Sequence, residues 1–176
     1  MKVDIADIPA HGLQLNITKD GDELQAIAGA VDFTMLPPVS ANLSLSKTDG
    51  EVLIDGNMAA VIKQQCARCL KQFEQVINSK IDIVYTIEPE HIKKEKELTN
   101  EDLSSNYLEG SEIDINAVLF EQLSLDIPMQ PVCKPDCKGL CPKCGADLNQ
   151  RKCSCPATEQ IDQRFAKLKE LKLNKK

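Results

Sequence analysis

Residues 51–87 read EVLIDGNMAAVIKQQCARCLKQFEQVINSKIDIVYTI. Before the central cysteines, apolar side chains recur at even positions from Val52 through Ile54, Met58, Ala60 and Ile62. After them they recur at Phe73, Ile77, Ile81, Ile83, Tyr85 and Ile87, with Glu74, Asn78, Lys80, Asp82 and Thr86 between. A period of two is the mark of a strand with one wet and one buried face. Two long strands therefore meet at Cys66-Ala-Arg-Cys69, a hairpin tip that carries two thiols. Upstream the same alternation runs through Leu13, Leu15 and Ile17, then Val31, Phe33 and Met35, then Leu43 and Leu45 after Pro37-Pro38. Thr48-Asp49-Gly50 is the turn that leads into the long strand.

Downstream the period changes. Asp114 is placed as the N-cap of a helix that buries Ile115, Val118, Leu119 and Leu123 on one face and stops before Pro128, so that it covers the sheet. Residues 88–112 are charged and poorly periodic, which predicts an exposed loop with at most one short helix beginning near Thr99. A last helix from Thr158 sets Ile161, Phe165, Leu168 and Leu171 in one stripe. The fold expected is α+β: an antiparallel β-rich main domain with a covering helix over residues 1–128, then a small zinc-binding C-terminal element and terminal helix over 129–176.

Charge divides the chain at the same place. Residues 1–128 carry 10 Lys+Arg against 22 Asp+Glu, and residues 129–176 carry 11 against 5, within an overall net charge of −6. A basic tail suits RNA or an acidic surface, and equally suits lysines that balance thiolate charge. With two Tyr, four Phe and no Trp, the chain has few platforms for stacking bases, which argues against broad single-strand binding by the main domain.

The eight cysteines fall into four pairs, Cys66/Cys69, Cys133/Cys137, Cys141/Cys144 and Cys153/Cys155. The start of the chain has no basic-apolar-cleavage pattern of a secretory signal and no run approaches a membrane span, so a reducing cytoplasm is expected. There, paired thiols hold zinc rather than disulfides. Cys141-Pro-Lys-Cys144-Gly145 is a zinc-knuckle pattern, in which a tight turn aims backbone N–H groups at sulfur and the glycine permits the left-handed residue that the turn requires. Cys153 and Cys155 are close enough to complete that site, which leaves Cys66, Cys69, Cys133 and Cys137 for a second one joining the hairpin tip to the tail. A competing arrangement groups Cys133, Cys137, Cys141 and Cys144 and strands the other two pairs. One or two structural zinc ions follow. A Cys-x-x-Cys redox motif is expected at a strand-to-helix junction, whereas here a strand follows. P-loop, dinucleotide, G-x-S-x-G and H-E-x-x-H patterns are missing, and His11 and His91 have no ligand context, so neither an enzyme nor a small-molecule substrate is expected.

Together, Cys66-x-Arg68-Cys69-Leu70, Glu112-Ile-Asp114-Ile, Cys133-x-x-x-Cys137-x-Gly139-Leu140-Cys141-Pro142-x-Cys144-Gly145 and Asp162-x-Arg164-Phe165-x-x-Leu168 resemble, in this order, the bacterial YceD family of large-subunit ribosomal RNA accumulation proteins. The likeness runs over roughly residues 40 to 173, with Asp162-Gln163-Arg164 standing where members often have Asp-Pro-Arg. It implies a non-enzymatic role in 23S rRNA accumulation and large-subunit assembly, with 23S rRNA, a pre-50S particle or a ribosomal protein as partner. The residues are compatible with this. The acidic domain would hold a basic ribosomal protein, and Arg151, Lys152, Arg164, Lys167, Lys169 and Lys172 would meet rRNA phosphates. Two other classes stand beside it: a zinc-stabilised protein–protein interaction module, and a thiol redox sensor built on Cys66 and Cys69.

Overall fold

The computed structural model describes residues 1–28, 31–87, 105–108 and 110–155. The chain begins with a short strand β1 (Lys2–Asp4) and a 3₁₀ turn (Ile5–Asp7), then β2 (Leu13–Lys19) and a helix α1 (Gly21–Ala28). Three long strands follow, β3 (Phe33–Thr48), β4 (Glu51–Gln65) and β5 (Gln72–Thr86). Two short strands, β6 (Ser105–Tyr107) and β7 (Glu112–Asp114), precede helix α2 (Ile115–Asp126). The main sheet has the order β2-β3-β4-β5-β6, and β1 pairs with β7 in a separate ribbon.

The two hairpins are those the alternation predicts. Thr48 pairs with Glu51 across the first turn, and Gln65 pairs with Gln72 across the second. Even positions of β4 from Val52 to Ile62 face inward, as do Ile77 and Ile81 of β5 and Leu43 and Leu45 of β3. Val31, Phe33 and Met35 are not a separate strand from Leu43 and Leu45. Val31 precedes β3, and one 16-residue strand runs on through Pro37-Pro38, with the register to β4 shifting between Leu36 and Ser40. Proline lacks the N–H that a continuous ladder needs, so the irregularity falls where pairing is already lost.

Helix α2 lies over the inner face of the sheet with Ile115, Val118, Leu119 and Leu123 buried. The Asp114 carboxylate accepts the Asn116 N–H at 2.9 Å, which caps the helix, and Ile115 N–H donates to the Met1 carbonyl at 2.9 Å. The β1–β7 ribbon thus holds the start of α2 in place. Helix α1 uses one side chain to finish an open strand edge. The Gln25 amide accepts the Met35 N–H at 3.0 Å and donates to the Phe33 carbonyl at 3.3 Å, ahead of the point where β2 begins to pair.

The expected loop over 88–112 requires correction. Residues 105–107 form β6, parallel to the end of β5, and residues 112–114 form β7. Three-residue strands are too short to display alternation, and a parallel edge strand gets its pairing from the sheet rather than from a local turn. The short helix near Thr99 and the terminal helix from Thr158 lie outside the described residues.

For the site, the main consequence is a lever. The β4–β5 hairpin carries Cys66–Cys69 to its far end, and the chain leaving α2 returns there, where Ala67 N–H donates to the Pro131 carbonyl at 2.8 Å.

Candidate metal centre

Two groups of four sulfurs converge. Cys66, Cys69, Cys133 and Cys137 form one, and Cys141, Cys144, Cys153 and Cys155 form the other, with every sulfur in a group within 4.8 Å of its fellows. The compact alternative, Cys133 and Cys137 with Cys141 and Cys144, is not the arrangement found. In the first group Cys66 and Cys137 sulfurs are 3.9 Å apart, and Cys69 and Cys133 sulfurs 3.7 Å. A tetrahedral ion with arms of about 2.3 Å to sulfur requires edges of about 3.8 Å, which these two edges match, and the remaining pairs lie within 4.8 Å. All eight cysteines are free thiols.

The two centres share a local design. In the first, Cys66 N–H donates to the Lys71 carbonyl at 2.9 Å and Leu70 N–H donates to the Cys66 carbonyl at 2.9 Å. In the second, Cys141 N–H donates to the Ala146 carbonyl at 2.8 Å and Gly145 N–H to the Cys141 carbonyl at 2.9 Å. The residue after the second cysteine is left-handed in both, Leu70 at φ 59° and Gly145 at φ 69°. Sequence reading identified only the second knuckle by its glycine, because the first puts a leucine at the position where an L-residue is strained. Leu70 is 55% exposed, so little packing holds it there. Leu70→Gly is therefore expected to keep the metal stoichiometry and raise stability by about 0.5–1 kcal/mol, read from urea denaturation of the metal-loaded protein.

Electrostatics separates the sulfurs within each group. Burial pushes the Cys66 thiol up, but N–H groups of Cys133, Cys69 and Arg68 outweigh it and bring the thiol down to about 6. The Cys133 N–H contributes directly, 3.4 Å from the Cys66 sulfur. Cys141 is likewise lowered to about 6 by the N–H groups of Cys144 and Lys143 and then by Cys153. Cys133 is pushed up to about 12, first by burial and then by the Cys69, Cys137 and Cys66 sulfurs. Cys155 is raised to about 12 by its contact with Cys144, then by burial and Cys141. Cys69 is raised too, the Lys71 N–H that lowers it being outweighed by burial and the Cys66 and Cys137 sulfurs, so each group has a sulfur ready to ionise and at least one that resists until a cation is present.

Cys66, Cys69 and Cys137 of the first centre are buried at the hairpin tip against Phe73 and Val132, with Cys133 partly buried, whereas Cys144 of the second is exposed. Arg68 ties them together. Its guanidinium donates to the Cys137 carbonyl at 3.0 Å, and its carbonyl accepts Leu140 N–H at 3.1 Å. Gly139, at φ +71°, passes so close that an added Cβ would lie 2.9 Å from the Arg68 carbonyl oxygen. Lys71 pairs with Asp147 at 2.6 Å, and that contact, with the N–H groups of Asn149, draws the Asp147 carboxyl down to about 2. The roles of Lys71, Gly139, Asp147 and Asn149 were not read from sequence; Gly139 and Gly145 flanking Cys141 and Cys144 were the available signal.

Of the candidate RNA contacts, Arg151 and Lys152 are exposed and line a cleft of about 270 Å³ beside Cys144, Cys153 and Cys155. Arg164, Lys167, Lys169 and Lys172 lie outside the described residues. Among the described residues no helix is long and apolar enough to cross a membrane.

Residues 54–172 match the family model described as large ribosomal RNA subunit accumulation protein YceD. An uncharacterized protein of Mycobacterium tuberculosis strain H37Rv is 32% identical over 132 residues, which cover 74% of this chain and 60% of that protein. A protein of Arabidopsis thaliana named large ribosomal RNA subunit accumulation protein YCED homolog 1, chloroplastic, is 27% identical over 182 residues, covering 91% of this chain and 54% of the plant protein. Its namesake in Zea mays is 27% identical over 162 residues, covering 76% and 55%. The chain thus spans between 54% and 60% of the length of these relatives. No solved structure matches. The matched stretch takes in all but the first three residues of the β4–β5 hairpin, α2 and all eight cysteines, and the chain belongs to the YceD family.

Proposed function

We propose that the protein is a non-enzymatic, cytoplasmic factor of bacterial ribosome biogenesis that supports 23S rRNA accumulation and large-subunit assembly. The observation that carries this reading is the family match across both cysteine centres and the elements that position them. Both centres are read as zinc sites, with Cys66, Cys69, Cys133 and Cys137 holding one ion and Cys141, Cys144, Cys153 and Cys155 the other. Their sulfur-only donor sets, each with four sulfurs within 4.8 Å of one another, support zinc. Four thiolates leave no open coordination position, so the metal supplies fold rather than chemistry. Residues 1–128 are treated as an acidic domain facing a basic ribosomal protein, and 129–176 as a basic element facing RNA. The primary test is depletion in the native bacterium. Loss of 23S relative to 16S rRNA, with fewer large subunits on a gradient and recovery on restoring the gene, is the expected result. Unchanged rRNA and subunits would sink the proposal.

Direct RNA contact has its own test. Charge reversal at Arg151 and Lys152, and in the tail at Arg164, Lys167, Lys169 and Lys172, is expected to weaken binding of large-subunit rRNA fragments. The slope of log affinity against log salt should flatten by about 0.7–0.9 for each phosphate that is no longer neutralised. Filter binding across a salt series reads both, and an unaltered slope removes RNA contact by these residues.

A further inference from the structure

We infer that the two centres load metal cooperatively, and that Asn149 couples them by serving as an outer-shell donor to the first centre from within the loop of the second. This rests on the zinc reading above. Asn149 lies between Cys144 and Cys153, so it belongs by sequence to the second centre, yet its amide Nδ2 reaches Cys137 Sγ of the first at 3.5 Å. The remainder of the side chain is fully engaged. Nδ2 also donates to Asp147 Oδ1 at 2.9 Å, the backbone N–H donates to the same oxygen at 2.9 Å, and Oδ1 accepts Lys138 N–H at 2.9 Å. These bonds fix which end of the amide faces sulfur: the carbonyl is taken by a backbone donor, and the N–H end is directed at Cys137.

An N–H donor on a metal-bound thiolate steadies its charge without adding a proton, and loss of such outer-shell partners typically lowers metal affinity about 10–100-fold. The donor is in place only while its loop is folded. Within residues 141–155 only Cys141 and Ala146 are buried apolar positions, so the loop has almost no core of its own, and a metal on its four thiols supplies the order. Occupancy of the second centre therefore fixes Asn149 on Cys137, and along with it Asp147, whose pairing with Lys71 reaches the strand that starts just past Cys69. Linkage makes the effect reciprocal: the factor by which the second ion strengthens the first equals the factor by which the first strengthens the second. The exposed position of Cys144 against the burial of Cys66, Cys69 and Cys137 makes the outer site the more accessible one, and through Asn149 its state is transmitted to the inner one.

Cobalt(II) titration of the full chain tests this, with the thiolate-to-metal charge-transfer band as the readout and a competing chelator to set affinities. Four proteins are compared: wild type, Asn149→Ala, the second-site knock-out Cys153→Ser/Cys155→Ser, and the combination. The knock-out and Asn149→Ala are each expected to weaken the first site about 10–100-fold, and adding Asn149→Ala to the knock-out to cost less than about twofold more. A first site whose affinity stays within about twofold when the second is removed overturns the coupling. So does an Asn149→Ala effect equally large in the knock-out, and so does one confined to the second site, which would make Asn149 a turn residue only. Far-UV circular dichroism verifies that the sheet is retained, and Asn149→Ala, which removes no ligand, carries the comparison if the knock-out is not folded. Two independent ions would defeat the coupling alone, whereas no thiolate–cobalt band in the wild type would defeat the zinc reading itself.

Discussion

Cys66→Ser is expected to lower the metal content of the purified chain from two ions to one and to release the segment around Cys133 and Cys137 from the hairpin tip. Cys66 is fully buried, it accepts the Cys133 N–H, and its sulfur stands 3.9 Å from Cys137. A serine hydroxyl is too weakly acidic to supply an anionic ligand in place of the thiolate at neutral pH and leaves a three-sulfur site with a gap. A structural zinc site contributes on the order of 10 kcal/mol or more of apparent binding energy, far above the worth of any single interaction in the tail. Metal analysis on dialysed protein should show the loss, and limited proteolysis should show new cleavage between residues 129 and 140 while the sheet keeps its circular dichroism. One ion bound by the wild type and still one by the variant would separate Cys66 from metal binding altogether.

The second large effect belongs to the sheet domain. Leu119 has no exposed surface and sits mid-helix in α2 against the inner face of the sheet. Leu119→Ala is expected to cost about 2–5 kcal/mol, the range for buried leucines, because the cavity between a helix and a long-stranded sheet cannot close without moving one of them. Leu125 on the same helix is 79% exposed, and Leu125→Ala should stay within about 0.5 kcal/mol. Urea denaturation of both variants supplies the contrast. Equal small losses would mean that α2 does not cover the sheet.

The long hairpin was legible in the sequence because its inner face is apolar at nearly every second residue and its outer face is not. The N-cap and buried stripe of α2 were legible for a related reason: Asp114 precedes a pattern whose four apolar positions, Ile115, Val118, Leu119 and Leu123, are the four that are buried. Helix α1 was missed because its packing leaves almost no trace in the pattern. Leu24 is buried, whereas Ile27 is 44% exposed, so no stripe forms. The strands β1, β6 and β7 have three residues each and owe their pairing to distant segments. In the cysteine centres, spacing proposed two groupings and preferred the one found, but the choice between them is made by topology. Only the return of the chain from α2 to the β4–β5 tip puts Cys133 and Cys137 beside Cys66 and Cys69. Outer-shell residues such as Lys71, Asp147 and Asn149 look like ordinary surface polar residues until the two loops are laid against each other.

A metal on the first centre would also close a ring. Cys69 and Cys133 are 64 positions apart and Cys66 and Cys137 are 71, and the enclosed chain includes β5, β6, β7 and α2. Tying together points this distant in an unfolded polymer removes end-to-end freedom equivalent to about 4 kcal/mol if the tie behaves like a cross-link of that loop length. A bound ion would thus do for this thiol-rich chain what a disulfide does for a secreted one, except that a chelator could untie it. During synthesis the hairpin tip emerges first and must wait for the later cysteines, so the knot is drawn only after both β5 and α2 have left the translating ribosome.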